Sequence, residues 1–118
     1  MSNAEIQNTA AADCRWDAVL VDDDPLVHLT WKLSARTAAK QLLGCRSASE
    51  LRAQLPALPR STPLYLDSHL GEGISGEELA TELQQAGFTE LHIVSGYEAV
   101  RFSHLAFLRS VLGKNPPW

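Results

Sequence analysis

A chain of 118 residues, 45% hydrophobic and 20% charged, has the length and balance of one globular domain built around a single core. Its net charge of -4 supplies no general basic field for nucleic acid, no apolar run approaches the length of a bilayer span, and the N-terminus lacks the charged and apolar regions of a secretory signal. Cys14 and Cys45 have no metal-like spacing and are too few for a disulfide framework, so the chain reads as a cytoplasmic, soluble domain with free structural thiols.

Residues 1–13 (MSNAEIQNTAAAD) are small and polar, with neither a strand pattern nor a helical face, and read as a flexible arm before a domain covering 14–118. Asp17 to Val21 contains a continuous apolar run, Ala18-Val19-Leu20-Val21, the pattern of a strand covered on both faces. Asp24 stands where a helix N-cap belongs, with Pro25 at the first helical position. Leu26, Leu29, Thr30, Leu33 and Thr37 fall at helical spacing and predict the inward face of a first helix that ends near Gly44. Trp31, between those positions, is expected at a rim.

A short second strand is expected at Cys45 to Ala48. Ser47 and Glu50 then have capping-box spacing ahead of Leu51, Ala53 and Leu55, and Pro56 stops that helix. Leu64 to Asp67 is another unbroken strand, followed by the glycine-rich loop Ser68 to Gly76. Ser75 and Glu78 form a second capping box, with Leu79, Ala80, Leu83 and Ala86 as the buried face of a helix closing at Gly87. Leu91 to Val94 is a fourth strand ending in Ser95-Gly96. Tyr97 to Leu105 is weakly helical at best, Phe107 to Leu112 is a fifth strand, and Lys114 follows it. Leu105, Phe107 and Leu108 are core by default. Trp118, after Pro116 and Pro117, either covers an exposed sheet edge or is an unpacked end. His28, His92 and His104 are isolated and read as surface or half-buried side chains, not ligands. Strands alternating with helices argue an open parallel α/β sheet.

The chemistry of such a sheet gathers beyond the carboxyl ends of its strands. There strand one delivers Asp22 and Asp23, strand three Asp67, strand four Ser95 and strand five Lys114. Like charges at about 4 Å and an effective dielectric near 20 repel by about 4 kcal/mol. Three carboxylates brought together therefore call for a cation, and hard oxygen ligands suit Mg²⁺. A carboxylate can also act as a nucleophile and form an aspartyl phosphate, with a lysine and a hydroxyl serving the phosphoryl oxygens. The competing reading is an acidic turn that only caps a helix, and it is the preferred one for Asp24.

From about Asp17 to Pro117 the chain resembles the receiver domains of two-component response regulators. The acidic pair after strand one, the aspartate ending strand three, the serine ending strand four and the late lysine carry the resemblance. It implies a flavodoxin-like open parallel five-stranded sheet of order 2-1-3-4-5 with helices on both faces. It implies that Asp67 is the phosphoacceptor and that Asp22 and Asp23 hold Mg²⁺, with Asp23 the more direct ligand. The backbone carbonyl of His69 would reach the metal, Ser95 would turn toward the phosphoryl group, and Lys114 would pair with the acceptor's charge. The implied partners are a histidine kinase or phosphotransfer protein upstream, and a downstream protein or attached output domain. No nucleic acid or membrane contact is implied through this domain, and the domain is not expected to be an enzyme.

Several departures accompany the resemblance. The loop from Asp67 to Gly76 is one residue longer than in the commonest receivers, with Gly71 in place of the usual proline. Asn115 separates Lys114 from Pro116. Only 18 residues separate Ser95 from Lys114, which predicts a shortened fourth helix. Val111 occupies the position of the aromatic that often moves with the serine. Nothing follows Trp118, so a fifth helix is missing and the domain reads as cut short or naturally brief. The long loop and the Pro-Pro-Trp ending resemble receivers attached to hybrid histidine kinases. Two rival functions stay in view: a receiver-like interaction module that is not phosphorylated, and a Mg²⁺-dependent phosphatase. The phosphatase is disfavoured because His69 stands where such enzymes carry a second aspartate.

Overall fold

A computed structural model describes residues 16–70, 73–94, 108 and 116–118, and the backbone alone of 110–112. Four strands, β1 (Ala18–Val21), β2 (Leu42–Cys45), β3 (Leu64–Asp67) and β4 (Leu91–Val94), run parallel in the order β2-β1-β3-β4. The backbone of Ser110–Leu112, β5, lies parallel beside β4, with Ile93 opposite Val111. Three helices fill the connections: α1 (Pro25–Ala38), α2 (Ala48–Gln54) and α3 (Gly76–Gln85). No helix among the described residues is long and apolar enough to cross a membrane. The arm at 1–13, Gly71, the Tyr97–Leu105 segment and His104, Ser95 and Lys114 all lie outside the described residues, as does the side chain of Val111.

Side chains alternate across the pleat, so each strand feeds two cores. Val19, Val21, Leu64, Leu66, Leu91 and Ile93 pack on one face with Ala48 and Leu51 of α2, and with Leu79, Ala80 and Leu83 of α3. Ala18, Leu20, Tyr65 and Val94 pack on the other, against Trp31 of α1. This two-faced burial is why β1 and β3 read as unbroken apolar runs.

The α1 face departs from the expectation. The buried residues are His28, Trp31 and Ala35, whereas Leu26, Leu29 and Leu33 are 69%, 53% and 52% exposed. Both sets repeat at three and then four residues, so spacing alone does not choose between them. The volume under α1 does: Ala18 and Leu20 leave room for one large ring. Trp31 is completely buried there and meets Tyr65 edge-on at 5.5 Å between ring centroids. Truncating a tryptophan in such a place costs on the order of 3–5 kcal/mol. Trp118 lies across the same ring at 5.7 Å and donates from Nε1 to Ser34 Oγ at 3.0 Å, so it covers α1 and not a sheet edge.

Two boundaries also moved. The first helix stops at Ala38, before the expected Gly44, because Ala39 takes a left-handed φ of 58° and its N–H turns back to the Ala35 and Arg36 carbonyls. A helix end on alanine has no glycine to announce it. The strand expected at Cys45 to Ala48 is therefore Leu42–Cys45, three residues earlier. His28 and His92, expected at the surface or half-buried, are 5% and 8% exposed, and His92 stacks on Tyr65 at 4.4 Å. Burial, with the Glu90 charge as a lesser cause, holds the Tyr65 phenol above its ordinary pKa.

The remaining caps follow the sequence closely. Ser47 accepts from Glu50 N–H, but the Glu50 carboxylate reaches back to Arg46 N–H at 2.7 Å, one residue earlier than a capping box requires. Ser75 and Glu78 make the full reciprocal pair at 3.1 and 2.9 Å. Gly87, at φ 99°, closes the chain past α3.

Candidate functional site

β1 and β3 are hydrogen-bonded neighbours in register, Val21 beside Leu66, so their carboxyl ends open at the same level. Asp22 leaves β1 and Asp67 ends β3. The chain turns at Asp22 because the residues beyond it are committed to starting a helix. Asp24 caps α1, its Oδ1 accepting from Leu26 N–H at 2.9 Å, and Pro25 sets the first helical φ. Asp22 Oδ1 in turn accepts the Asp24 N–H at 2.8 Å, the side-chain turn that aspartate makes with the residue two ahead. Asp22 N–H donates to Cys45 O of β2 at 3.1 Å.

Asp22, Asp23 and Asp67 each offer a carboxylate oxygen, and all three oxygens lie within 4.8 Å of one another. Asp22 is fully buried, Asp67 is 5% exposed, and Asp23 faces solvent. Burying carboxylates side by side is costly unless positive charge offsets them. An octahedral Mg²⁺ with ligands at about 2.1 Å spans about 4.2 Å between opposite oxygens. The aspartate cluster, with its oxygens no more than 4.8 Å apart, therefore suits one small hard cation. The oxygen-only donor set excludes a soft-metal preference.

The loop after Asp67 is held tightly on its far side. Ser68 N–H donates to Val94 O at 3.4 Å, and Gly76 N–H donates to Ser68 O at 3.1 Å. His69, whose side chain is exposed, forms an isolated antiparallel bridge with Ser75, the N-cap of α3. Gly76 lies flat against the acceptor's own peptide. A Cβ at that position would fall 2.8 Å from the Asp67 carbonyl carbon, 3.0 Å from Ser68 Cα and closer still to the Asp67 oxygen. Of the expected site residues, the structure thus brings together Asp22, Asp23 and Asp67, and sets His69 two residues beyond the last. Ser95 and Lys114 lie outside the described residues.

Three contributors were not read from the sequence. His28 Nε2 donates to the Asp22 carbonyl at 2.6 Å, and Arg46 Nη2 donates to the Asp23 carbonyl at 3.3 Å. Gly76 makes room for the Asp67 peptide. The only advance signals were the 28-31-35 spacing and the glycine directly after a capping serine. Cys45 has no chemical part, since burial first and the Glu50 charge second push its thiol up to about 11.

No family model matches the sequence, and no curated protein matches it either. Solved structures do match. The chain resembles a response regulator receiver protein from Pseudomonas putida at 20% identity and TM-score 0.70, over 86% of this chain and 87% of that one. It resembles a CheY-like response regulator receiver domain protein from Methanospirillum hungatei at 19% identity and TM-score 0.68, covering 85% and 82%. A signal receiver domain of an HD domain-containing protein from Pseudomonas fluorescens matches at 18% identity and TM-score 0.69, covering 88% and 84%. With its parallel β2-β1-β3-β4 sheet and its acidic cluster at the carboxyl ends of β1 and β3, the chain has the fold of a response regulator receiver domain.

Proposed function

We propose that this domain is a two-component receiver that accepts a phosphoryl group on Asp67 and signals by a conformational shift. The observation that carries the reading is the convergence of the Asp22, Asp23 and Asp67 oxygens within 4.8 Å at one end of a receiver-type sheet. A solvated acidic turn has no need to bury two of its three carboxylates.

In this account an Asp67 carboxylate oxygen attacks the phosphorus of a phosphohistidine on a histidine kinase or phosphotransfer protein. The new O–P bond forms as the P–N bond breaks, and the imidazole leaves with the bonding electrons and takes up a proton. Asp22, Asp23 and Asp67 would hold Mg²⁺, with the His69 carbonyl as a further oxygen. When bound, Mg²⁺ neutralises charge on the phosphoryl oxygens. Burial of Asp67 limits the water that reaches the resulting acyl phosphate. Ser95 and Lys114 are assigned the phosphoryl hydrogen bond and the charge pairing. The complete sheet of order 2-1-3-4-5, with helices on both faces and a shortened fourth helix, belongs to the same proposal. The acyl phosphate biases a two-state equilibrium that a downstream protein or attached output domain reads. The Pseudomonas fluorescens neighbour, a receiver domain of a larger HD domain-containing protein, supports an attached output in general terms. The domain is read as a cytoplasmic phosphoacceptor and not as an enzyme turning over a separate substrate.

Intact-mass measurement with a small phosphodonor tests this. Wild type should gain one phosphoryl group with Mg²⁺ and none after chelation, and Asp67→Asn should gain none. A wild-type domain that stays unmodified at saturating donor and Mg²⁺ would leave the receiver-like interaction module as the better description.

A further inference from the structure

The acidic turn has to keep its shape while three carboxylates repel one another across it, so what holds its backbone matters. Three of the ties on Asp22 shape the turn: its N–H to Cys45 O of β2, its Oδ1 to the Asp24 N–H, and its carbonyl to His28 Nε2 at 2.6 Å. The third tie is the unusual one. It comes from a side chain on the buried face of α1, it is the shortest of the three, and His28 is only 5% exposed. A carbonyl can only accept, so Nε2 carries the proton in this contact.

The other side of the ring meets β2. A Cβ at Gly44 would lie 2.7 Å from His28 Nδ1 and 3.1 Å from Cε1. Gly44 is paired with Leu20 in the sheet and takes no positive φ, so its bareness is explained by the ring it admits. Histidine and glycine thus form one device: β2 leaves a slot, α1 fills it, and the ring's far nitrogen sets the peptide plane between Asp22 and Asp23.

We propose that His28 is a positioning residue for the acidic pair, seated by Gly44, which pins the Asp22 carbonyl and so aims the Asp22 and Asp23 carboxylates at the cation position. The proposal rests on the phosphoacceptor reading for its purpose, but its geometry is testable without metal. His28→Leu removes the donor and keeps bulk. His28→Gln replaces Nε2 with an amide donor of similar reach. Gly44→Ala leaves the histidine in place but drives its ring from the slot.

In the metal-free domain, hydrogen exchange at the Asp24 amide should quicken about 10-fold in His28→Leu and Gly44→Ala relative to amides of α3, and return near wild type in His28→Gln. Mg²⁺ titrations followed by backbone amide shifts should show affinity about 10-fold weaker in the first two variants, the low end of what losing a ligand-orienting partner costs. His28→Gln should bind within about twofold of wild type, and Gly44→Ala should add little in a His28→Leu background because both act through one ring. If His28→Leu and Gly44→Ala keep both wild-type exchange at Asp24 and wild-type Mg²⁺ affinity, the role of His28 is wrong while the phosphoacceptor reading stands. If wild type shows no Mg²⁺-dependent shifts, the phosphoacceptor reading fails, and the exchange data still decide whether His28 shapes the turn.

Discussion

Substituting Gly76 by alanine gives the sharpest mechanical test of how the acceptor is held. The added methyl meets backbone, namely the Asp67 carbonyl and Ser68 Cα, and backbone has no rotamer to yield with. Overpacking of this kind costs about 1–3 kcal/mol. Alanine is the better helix former by up to about 1 kcal/mol, but Gly76 is the first residue of α3, where that gain is least. A net loss of about 1–2 kcal/mol follows, which for a domain of this size lowers the melting temperature by roughly 4–10 °C. Relief of the clash moves the Asp67 peptide, so phosphoryl uptake should slow as well. Calorimetry and the rate of mass gain with a small phosphodonor read the two effects in one variant. A Gly76→Ala domain that melts with wild type and is modified at the same rate would refute the close packing of α3 on the acceptor.

Other perturbations separate the parts of the account. Asp23→Ala removes an exposed ligand and should weaken Mg²⁺ binding at least about 10-fold with little change in melting temperature; unchanged binding in an amide-shift titration would remove Asp23 from the site. Ala39→Gly relaxes the left-handed φ of 58° at the end of α1 and should raise stability by about 0.5–1 kcal/mol in urea unfolding; a loss would contradict the cap. The Arg52–Glu82 pair joins α2 to α3 at 2.8 Å, and its hydrogen bond and charge hold the Glu82 pKa below the ordinary glutamate value. That contribution is fully present above the unfolded glutamate pKa and is lost as pH falls through the depressed folded value. Because both side chains are 43% exposed, Arg52→Ala should cost at most about 1 kcal/mol at neutral pH, and the difference from wild type should vanish in acid.

What the sequence disclosed and what it concealed follow from different physics. β1 and β3 were legible because strands buried on both faces must be continuously apolar, and the aspartates at their carboxyl ends break that run visibly. The two serine caps were legible because a cap is a local contract between residues three apart. The inward face of α1 was not, because leucines 26, 29 and 33 mimic the period of His28, Trp31 and Ala35, and only the shape of the opposing sheet decides between them. β2 was displaced because the helix before it ends on an alanine in a glycine-like conformation. The carboxylate cluster was foreseeable from strand ends alone, whereas His28, Gly44 and Gly76 act through non-local packing that no spacing rule encodes.

The most direct measurement is chemical trapping of the acceptor. A domain treated with a small phosphodonor and Mg²⁺, then reduced with borohydride, converts an acyl phosphate to the corresponding alcohol, and peptide sequencing locates it. The account predicts homoserine at position 67 and nowhere else, and none when Mg²⁺ is chelated. Reduction at Asp22 or Asp23, or a stable phosphate on a histidine or serine with Asp67 untouched, would contradict it.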